Sequence, residues 1–399
     1  MTATISGKPA RKRIAVCLDG TWNVEDDNTN VWRLKSLCAA QGSDGVEQVI
    51  YYSVGVGTSY GERILGGMIG YHLDHEITQA YEWLIDRFEP DDEIFIFGFS
   101  RGAYTARSLA GFIAKCGLLI PGAPLGVKQL YNRYRQGSEE RTIWQLNADR
   151  EAGKSHDLST EEQWMLKHSM RVPIKLVGVW DTVGALGVPA FHISGISRST
   201  FGFLHTGLRL PIEHGFHAMA IDEHRAAFSP TLWTKTVHKS PGSVSAAPRP
   251  LTSVEQRWFV GAHANVGGGY ESDLLAQKPL RWMMTKASGL GLAFKGDVDM
   301  DGDADSCPIM DSHRSFMHGA YRFASRPYYR QIGEPPRDTA QSTESNVNET
   351  IDSSVFDRWR NNAEYRPKNL VNWAKSYNVN PEKITSSVLA HDPNTAVPD

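Results

Sequence analysis

The sequence predicts an α/β chain: a mostly parallel sheet with helices on both faces and one helical insertion. Short apolar runs at 13–18, 47–52, 93–97, 174–180 and 257–261 read as buried strands. Segments with helical apolar spacing, at 30–40, 74–88 and 101–116, alternate with the first of them. Strands separated by helices pair in parallel, because a parallel neighbour needs a long crossover. The stretch 121–170 breaks this rhythm: it is polar, helical in parts, and holds no convincing strand.

Taken in order, R-I-A-V-C-L (13–18) is a strand that leads into the tight loop Asp19-Gly20-Thr21. A short helix over 30–40 and a strand E-Q-V-I-Y-Y (47–52) follow, then a glycine-rich loop from Gly55 to Gly70. Ile77, Tyr81, Leu84, Ile85 and Phe88 mark one face of an amphipathic helix over 74–88. E-I-F-I-F (93–97) is a strand and 101–116 a helix. After the insertion the sheet resumes with I-K-L-V-G-V-W (174–180). Residues 184–252 read as irregular, R-W-F-V-G (257–261) as a strand and 273–288 as a helix. These boundaries make 11–290 one catalytic-size domain. Residues 291–399, rich in Asp, Ser and Asn and of low periodicity, form an extension packed on it or trailing from it.

With 399 residues, 41% of them apolar, the chain can bury a large core. A net charge of −3 and one basic cluster, Arg11, Lys12 and Arg13, exclude a nucleic-acid binder, which needs a basic surface. Cys17, Cys38, Cys116 and Cys307 form no C-x-x-C pair, which points to a reducing, cytoplasmic setting rather than a disulfide scaffold. The first ten residues lack the apolar segment of a Sec signal peptide, and no apolar run reaches the ~18 residues of a transmembrane segment. Export by a signal-independent route stays open.

The chemistry centres on Gly98-Phe99-Ser100-Arg101-Gly102, a G-x-S-x-G between a strand and a helix. In that context the serine sits on a sharp turn at the carboxyl end of the sheet, and Gly98 and Gly102 remove Cβ atoms that would clash. This is the nucleophile elbow of an α/β-hydrolase-like sheet. A serine hydroxyl needs a base, and the base an orienting acid. Asp181 follows a strand directly, and His263 follows the next clear strand within G-A-H-A-N-V-G-G-G, so the order is Ser, Asp, His. Asp222, in I-D-E-H-R, is the alternative acid. The backbone N–H of Arg101 and that of Gly20 or Thr21 are the candidate oxyanion donors. L-D-G-T also opens a phosphatase motif, but that chemistry needs a second aspartate two residues away, where Cys17 and Thr21 stand. No cofactor or metal is required. Asp297, Asp299, Asp301, Asp303 and Asp305 mimic the start of a calcium loop, yet its twelfth position is Pro308, so a solvated acidic loop is favoured.

L-D-G-T-W-N, G-F-S-R-G-A-Y, V-W-D-T-V-G, D-E-H-R, W-F-V-G-A-H-A-N-V-G-G-G-Y and Y-R-P-K-N-L, in fixed order from about 12 to 372, resemble a bacterial family. It is the family of the type VI secretion phospholipase effectors. The resemblance implies an α/β-hydrolase core, a Ser-Asp-His triad that falls by motif position on Ser100, Asp181 and His263, and phospholipase A-type ester cleavage. Asn265 stands where the family more often has an acid. The partners so implied are an ester or phospholipid substrate and transient contact with a membrane surface. An esterase or amidase on a small soluble substrate, and a catalytically silent binding protein on the same fold, are the alternatives. The insertion carries Leu125, Leu130, Tyr131, Tyr134, Ile143, Trp144 and Leu146 among charges. It reads either as a mobile lid over Ser100 or as a fixed helical layer.

Overall fold

The computed structural model describes residues 11–20, 28–55, 66–136, 140–154, 157–183, 211–239, 249–271, 274–302, 304, 306–315 and 325–399. The amino-terminal part alternates β1 (Lys12–Leu18), α1 (Asn30–Leu37), β2 (Glu47–Ser53), α2 (Gly66–Arg87), β3 (Glu93–Phe99) and α3 (Arg101–Cys116). In β1 and β3 six of seven residues are buried, as parallel strands covered on both faces must be. Thr29 caps α1 by accepting the N–H of Trp32. Gly117, at φ 75°, ends α3.

The insertion forms a short antiparallel pair, β4 (Leu118–Leu119) with β5 (Ser169–Met170), around α4 (Val127–Arg135), α5 (Ile143–Glu151) and α6 (Thr160–His168). Capping boxes start α5 (Thr142 with Gln145) and α6 (Ser159 with Glu162). Leu130, Ile143 and Leu146 are fully buried in one cluster with Ile77, Leu109, Phe112 and Ile113 of α2 and α3. In this arrangement these apolar residues of the insertion face α2 and α3. The contacts include the carboxyl end of α3, where Lys115 Nζ donates to the carbonyl of Arg133 at 3.0 Å.

The central sheet continues with β6 (Ile174–Trp180), β7 (Ile212–Ala220), β9 (Val254–Phe259), β12 (Glu349–Ile351), β13 (Ser387–Leu389) and β14 (Asp392–Val397). Its nine strands run β14-β13-β12-β9-β7-β6-β3-β1-β2, parallel from β2 through β12 and antiparallel for the pairs made by β13. Alternate residues of each strand feed opposite cores. Ile14, Val16, Ile94, Ile96, Val177 and Val179 pack with α2 and α3. Ala15, Cys17, Phe95, Phe97, Leu176 and Trp180 pack with α1 and α8 (Gln277–Gly289). The molecule thus has the expected α/β character, a mostly parallel sheet with helices on both faces.

One expectation needs correction. Residues 212–220 lie in the stretch read as irregular, but they form a central strand; His214, Gly215 and His217 interrupt its apolar pattern. The described residues beyond 290 also contribute to the sheet. β12 extends the sheet in parallel beside β9, while α9 (Ser353–Asn361) and α10 (Lys368–Ser376) bury Phe356, Leu370 and Trp373 beneath it. The strands of this segment in the described residues are two to six residues long, too short to show a clear period. A small separate sheet joins β10 (Arg337–Asp338) and β11 (Ser342–Asn346) to β8 (Thr234–His238).

Candidate active site

The chain leaves β1, forms β2 on one side of it and returns to form β3 on the other. Such a reversal opens a crevice at the carboxyl ends of the strands. Ser100 lies at its mouth, between β3 and α3, at φ 58° and ψ −119°. That φ is in the left-handed region, which a serine rarely adopts, so the turn is strained. The Ser100 N–H donates to the carbonyl of Trp180 at 3.1 Å and ties the turn to β6. A Cβ on Gly98 would stand 2.8 Å from the Cα of Ala103. One on Gly102 would press into the carbonyls of Leu18 and Asp19.

Asp181 follows β6 at φ 37° and is fully buried. Its Oδ1 accepts the N–H of Ala220 at 3.0 Å. His263 opens the short helix α7 (His263–Gly267). Its ring lies against Phe99, 4.7 Å between centroids, and meets Phe228 edge-on. The Ser100 hydroxyl is 2.8 Å from His263 Nε2, and His263 Nδ1 is 2.5 Å from Asp181 Oδ2. A carboxylate only accepts, so Nδ1 carries the hydrogen and Nε2 is left to accept from the serine. The structure brings Ser100, Asp181 and His263 into one hydrogen-bonded chain, which can carry a proton off the hydroxyl.

Asp222 stands elsewhere in this network. Its Oδ2 accepts the N–H of Gly261 at 2.8 Å and the hydroxyl of Tyr365 at 3.1 Å, and both ring nitrogens of His263 are taken by other groups. Its neighbour Glu223 accepts the N–H of His263 at 3.2 Å. Two successive carboxylates thus grip alternate amides of the loop that bears the imidazole. Arg225 and the Ser312 hydroxyl hold Glu223 in turn.

Arg101 opens α3, at the positive end of its dipole. The Gly20 N–H donates to Asp19 Oδ1 at 2.7 Å, because an aspartate can reach the amide that follows it. Asp19 Oδ2 also accepts from Tyr52 at 3.1 Å and from Thr29, which braces the loop. Thr21 lies outside the described residues.

Electrostatics suit a neutral base beside an ionised acid. Burial lowers the basicity of His263 below the ordinary imidazole value, against the opposing pull of Asp181. Burial would raise Asp181, but the Arg330 guanidinium and then His263 hold it well below the usual carboxylate range. Asp222, by contrast, is pushed up by burial.

Residues 12–286 match the model of the type VI secretion system phospholipase effector Tle1-like catalytic domain. The chain belongs to that family. It is 30% identical over 241 residues to an uncharacterized protein of Saccharomyces cerevisiae, covering 56% of this chain and 33% of that one. Two solved structures are similar at low sequence identity. An uncharacterized protein from Pseudomonas aeruginosa is 17% identical with a TM-score of 0.40, over 71% of this chain and 46% of the other. The Tle1 effector bound to the VgrG spike is 18% identical with a TM-score of 0.32, over 66% and 52%. The chain therefore spans about a third of the yeast relative and about half of each solved chain.

Sequence reasoning missed three contributors to this Tle1-like site. Glu223 could have been found, since it adjoins Asp222 in D-E-H-R. His217 lies in the unrecognised strand β7 and accepts the Thr182 N–H, next to Asp181, at 3.1 Å. Arg330 stands beyond the matched residues in a segment without a motif. It donates to both oxygens of Asp181, at 2.6 and 2.9 Å. Asn265 accepts the N–H groups of Ala262 and Met310 through Oδ1, a task that an amide or an acid can perform. Of the acidic loop, Asp297 pairs with Arg281 at 2.7 Å and Asp299 accepts the N–H of Asp301. Asp303 and Asp305 lie outside the described residues. Among the described residues no cluster of His, Cys, Asp or Glu is arranged to hold a metal, and no helix is long and apolar enough to cross a membrane.

Proposed function

We propose that this chain is a serine ester hydrolase on an α/β-hydrolase core that cleaves carboxylic esters of phospholipids in the manner of a phospholipase A. The observation that carries the reading is the hydrogen-bonded chain from Ser100 through His263 to Asp181. His263 Nε2 takes the serine proton as Oγ attacks the ester carbonyl. The N–H of Arg101 is one donor to the oxyanion, and of the two candidates for the second, Gly20 and Thr21, the Thr21 N–H is the one proposed, since that of Gly20 bonds Asp19. The departing alcohol takes its proton from His263. A water, deprotonated by the same ring, then frees the acid and restores Ser100. Asp181 holds the ring in the tautomer this requires. Membership of the Tle1-like family supports the lipid substrate, contact with a membrane surface and export by the secretion system.

The buried apolar face of the insertion favours a second reading, an esterase for short soluble substrates. That segment cannot open toward lipid without unpacking from α2 and α3.

The test is fatty-acid release from phosphatidylethanolamine vesicles, p-nitrophenyl ester hydrolysis and fluorophosphonate labelling, with and without Ser100→Ala. Loss on the order of 10⁶-fold and no labelling are expected for the variant. A variant within about tenfold of the unaltered protein would remove the serine from the mechanism. Hydrolysis restricted to short esters selects the second reading.

A further inference from the structure

Arg330 is completely buried, and four of its hydrogen bonds converge on the acid and its surroundings. Nη1 donates to Asp181 Oδ1 and to the carbonyl of Ala220, each at 2.6 Å. Nη2 donates to Asp181 Oδ2 at 2.9 Å and to the carbonyl of Phe228 at 2.6 Å. The forked contact fixes the plane of the carboxylate that orients His263, since guanidinium and carboxylate bind edge to edge. Its bond to Phe228 also fixes the residue whose ring rests on the imidazole. Arg330 does not touch Ser100 in this network.

We propose that Arg330 is a positioning residue of the hydrolytic site, which clamps Asp181 and cancels its charge, and so sets the lower pH limit at which His263 can act as a base. The inference rests on the Ser100–His263–Asp181 reading above and adds a residue that lies past position 286, where the family match ends.

Charge bookkeeping gives the sign. With Arg330 present, an ionised Asp181 and a neutral His263 leave the three groups with no net charge. Without the guanidinium the same pair carries one buried negative charge and takes up a proton more readily. Whichever of the two binds that proton, the base is lost, and the pair titrates as a unit. The other charged or titratable groups that face this pair are Glu223 and Arg225, themselves paired at 2.8 Å, and the neutral His217 with Arg107 beyond it. Arg330 also favours the ionised Glu223 and the neutral His217, so a neutral residue at 330 shifts both in the same direction, toward taking up a proton.

The experiment compares kcat/KM on p-nitrophenyl butyrate against pH for the full chain, Arg330→Lys and Arg330→Met, with Ser100→Ala as the control for the parent reading. Arg330→Met should move the acid limb upward by about one pH unit and lower kcat on the order of 10–100-fold with little change in KM. Arg330→Lys keeps the charge and loses the fork, so kcat falls while the limb stays. If both variants slow the reaction and neither moves the limb, Arg330 is merely structural and the proposal fails. Should Arg330→Met not fold, the unaltered protein still decides: an acid limb at or above the ordinary imidazole value of ~6.5 overturns the proposal. If Ser100→Ala stays active, it is the triad reading that falls instead.

Discussion

Phe228 meets the imidazole of His263 edge-on, with centroids 4.9 Å apart and the rings at 78°. The guanidinium of Arg225 lies 3.5 Å from the centroid of the same phenyl ring. The position of the imidazole is thus set by a stack of neighbours as well as by the hydrogen bonds of its two nitrogens. Phe228→Ala should leave the chain folded and lower kcat on the order of 10-fold, because the ring gains room to turn. Single-turnover kinetics on a short ester measure this, and an unchanged rate shows the ring contact to be idle.

The two acids should separate cleanly. Asp181→Asn cannot hold His263 in the tautomer that accepts from Ser100, and the expected loss is on the order of 10⁴-fold in kcat. Asp222→Asn still accepts the N–H of Gly261 through its amide oxygen, so activity stays within about tenfold and stability falls by about 1 kcal/mol. The reverse ranking, measured on one ester under one condition, assigns the acid to Asp222.

His217 should make stability fall with acid. Burial holds this histidine down at about 3, with Arg107 adding to the effect, while an unfolded imidazole titrates near ~6.5. Between those values the unfolded chain binds a proton that the folded chain refuses. Its contribution is whole above ~6.5 and shrinks by ~1.4 kcal/mol for each pH unit below. His217→Gln, which can still accept the Thr182 N–H, should flatten the fall of the urea midpoint between neutral and mildly acid buffer. An identical slope in variant and unaltered protein refutes the assignment.

Gly102→Ala should cost ~2 kcal/mol or more, because the added methyl presses on the Leu18 and Asp19 carbonyls, which are backbone and cannot swing aside. Activity should fall with it, since the turn that holds Ser100 must shift. Thermal unfolding beside ester turnover checks both, and a variant of normal stability contradicts the packing described.

Leu146→Ala tests the insertion. A fully buried leucine cut to alanine costs about 2–5 kcal/mol. In a fixed layer the surviving activity on vesicles and on short esters drops by the same factor. Loss on vesicles alone would restore the mobile lid.

The parallel core was legible because its strands are unbroken apolar runs with helices between them. β7 was not, since it carries His214, Gly215 and His217 where a core strand usually has aliphatics. Those polar residues are satisfied only by distant neighbours, Gln256 and the Thr182 amide among them, which local pattern does not reveal. Ser100, Asp181 and His263 were each marked by a short motif after a strand. Arg330 sits among Tyr328, Tyr329 and Gln331, where nothing local distinguishes it from a surface arginine. Its role follows from burial against Asp181, a contact across 149 positions. The bond from the Gly20 amide to the preceding Asp19 side chain is likewise not legible in L-D-G-T.

The four groups at the centre stand at positions 100, 181, 263 and 330, so the site is a set of widely separated closures rather than a local structure. Each closure carries a loop entropy that is met only when the strands between are docked. A chain emerging from the ribosome has Ser100, Asp181 and His263 well before residue 330. Until that residue arrives, Asp181 lacks its counter-charge and the carbonyls of Ala220 and Phe228 lack the donor that joins them. The hydrogen-bonded arrangement of Ser100, His263, Asp181 and Arg330 therefore cannot be complete before residue 330 has been made.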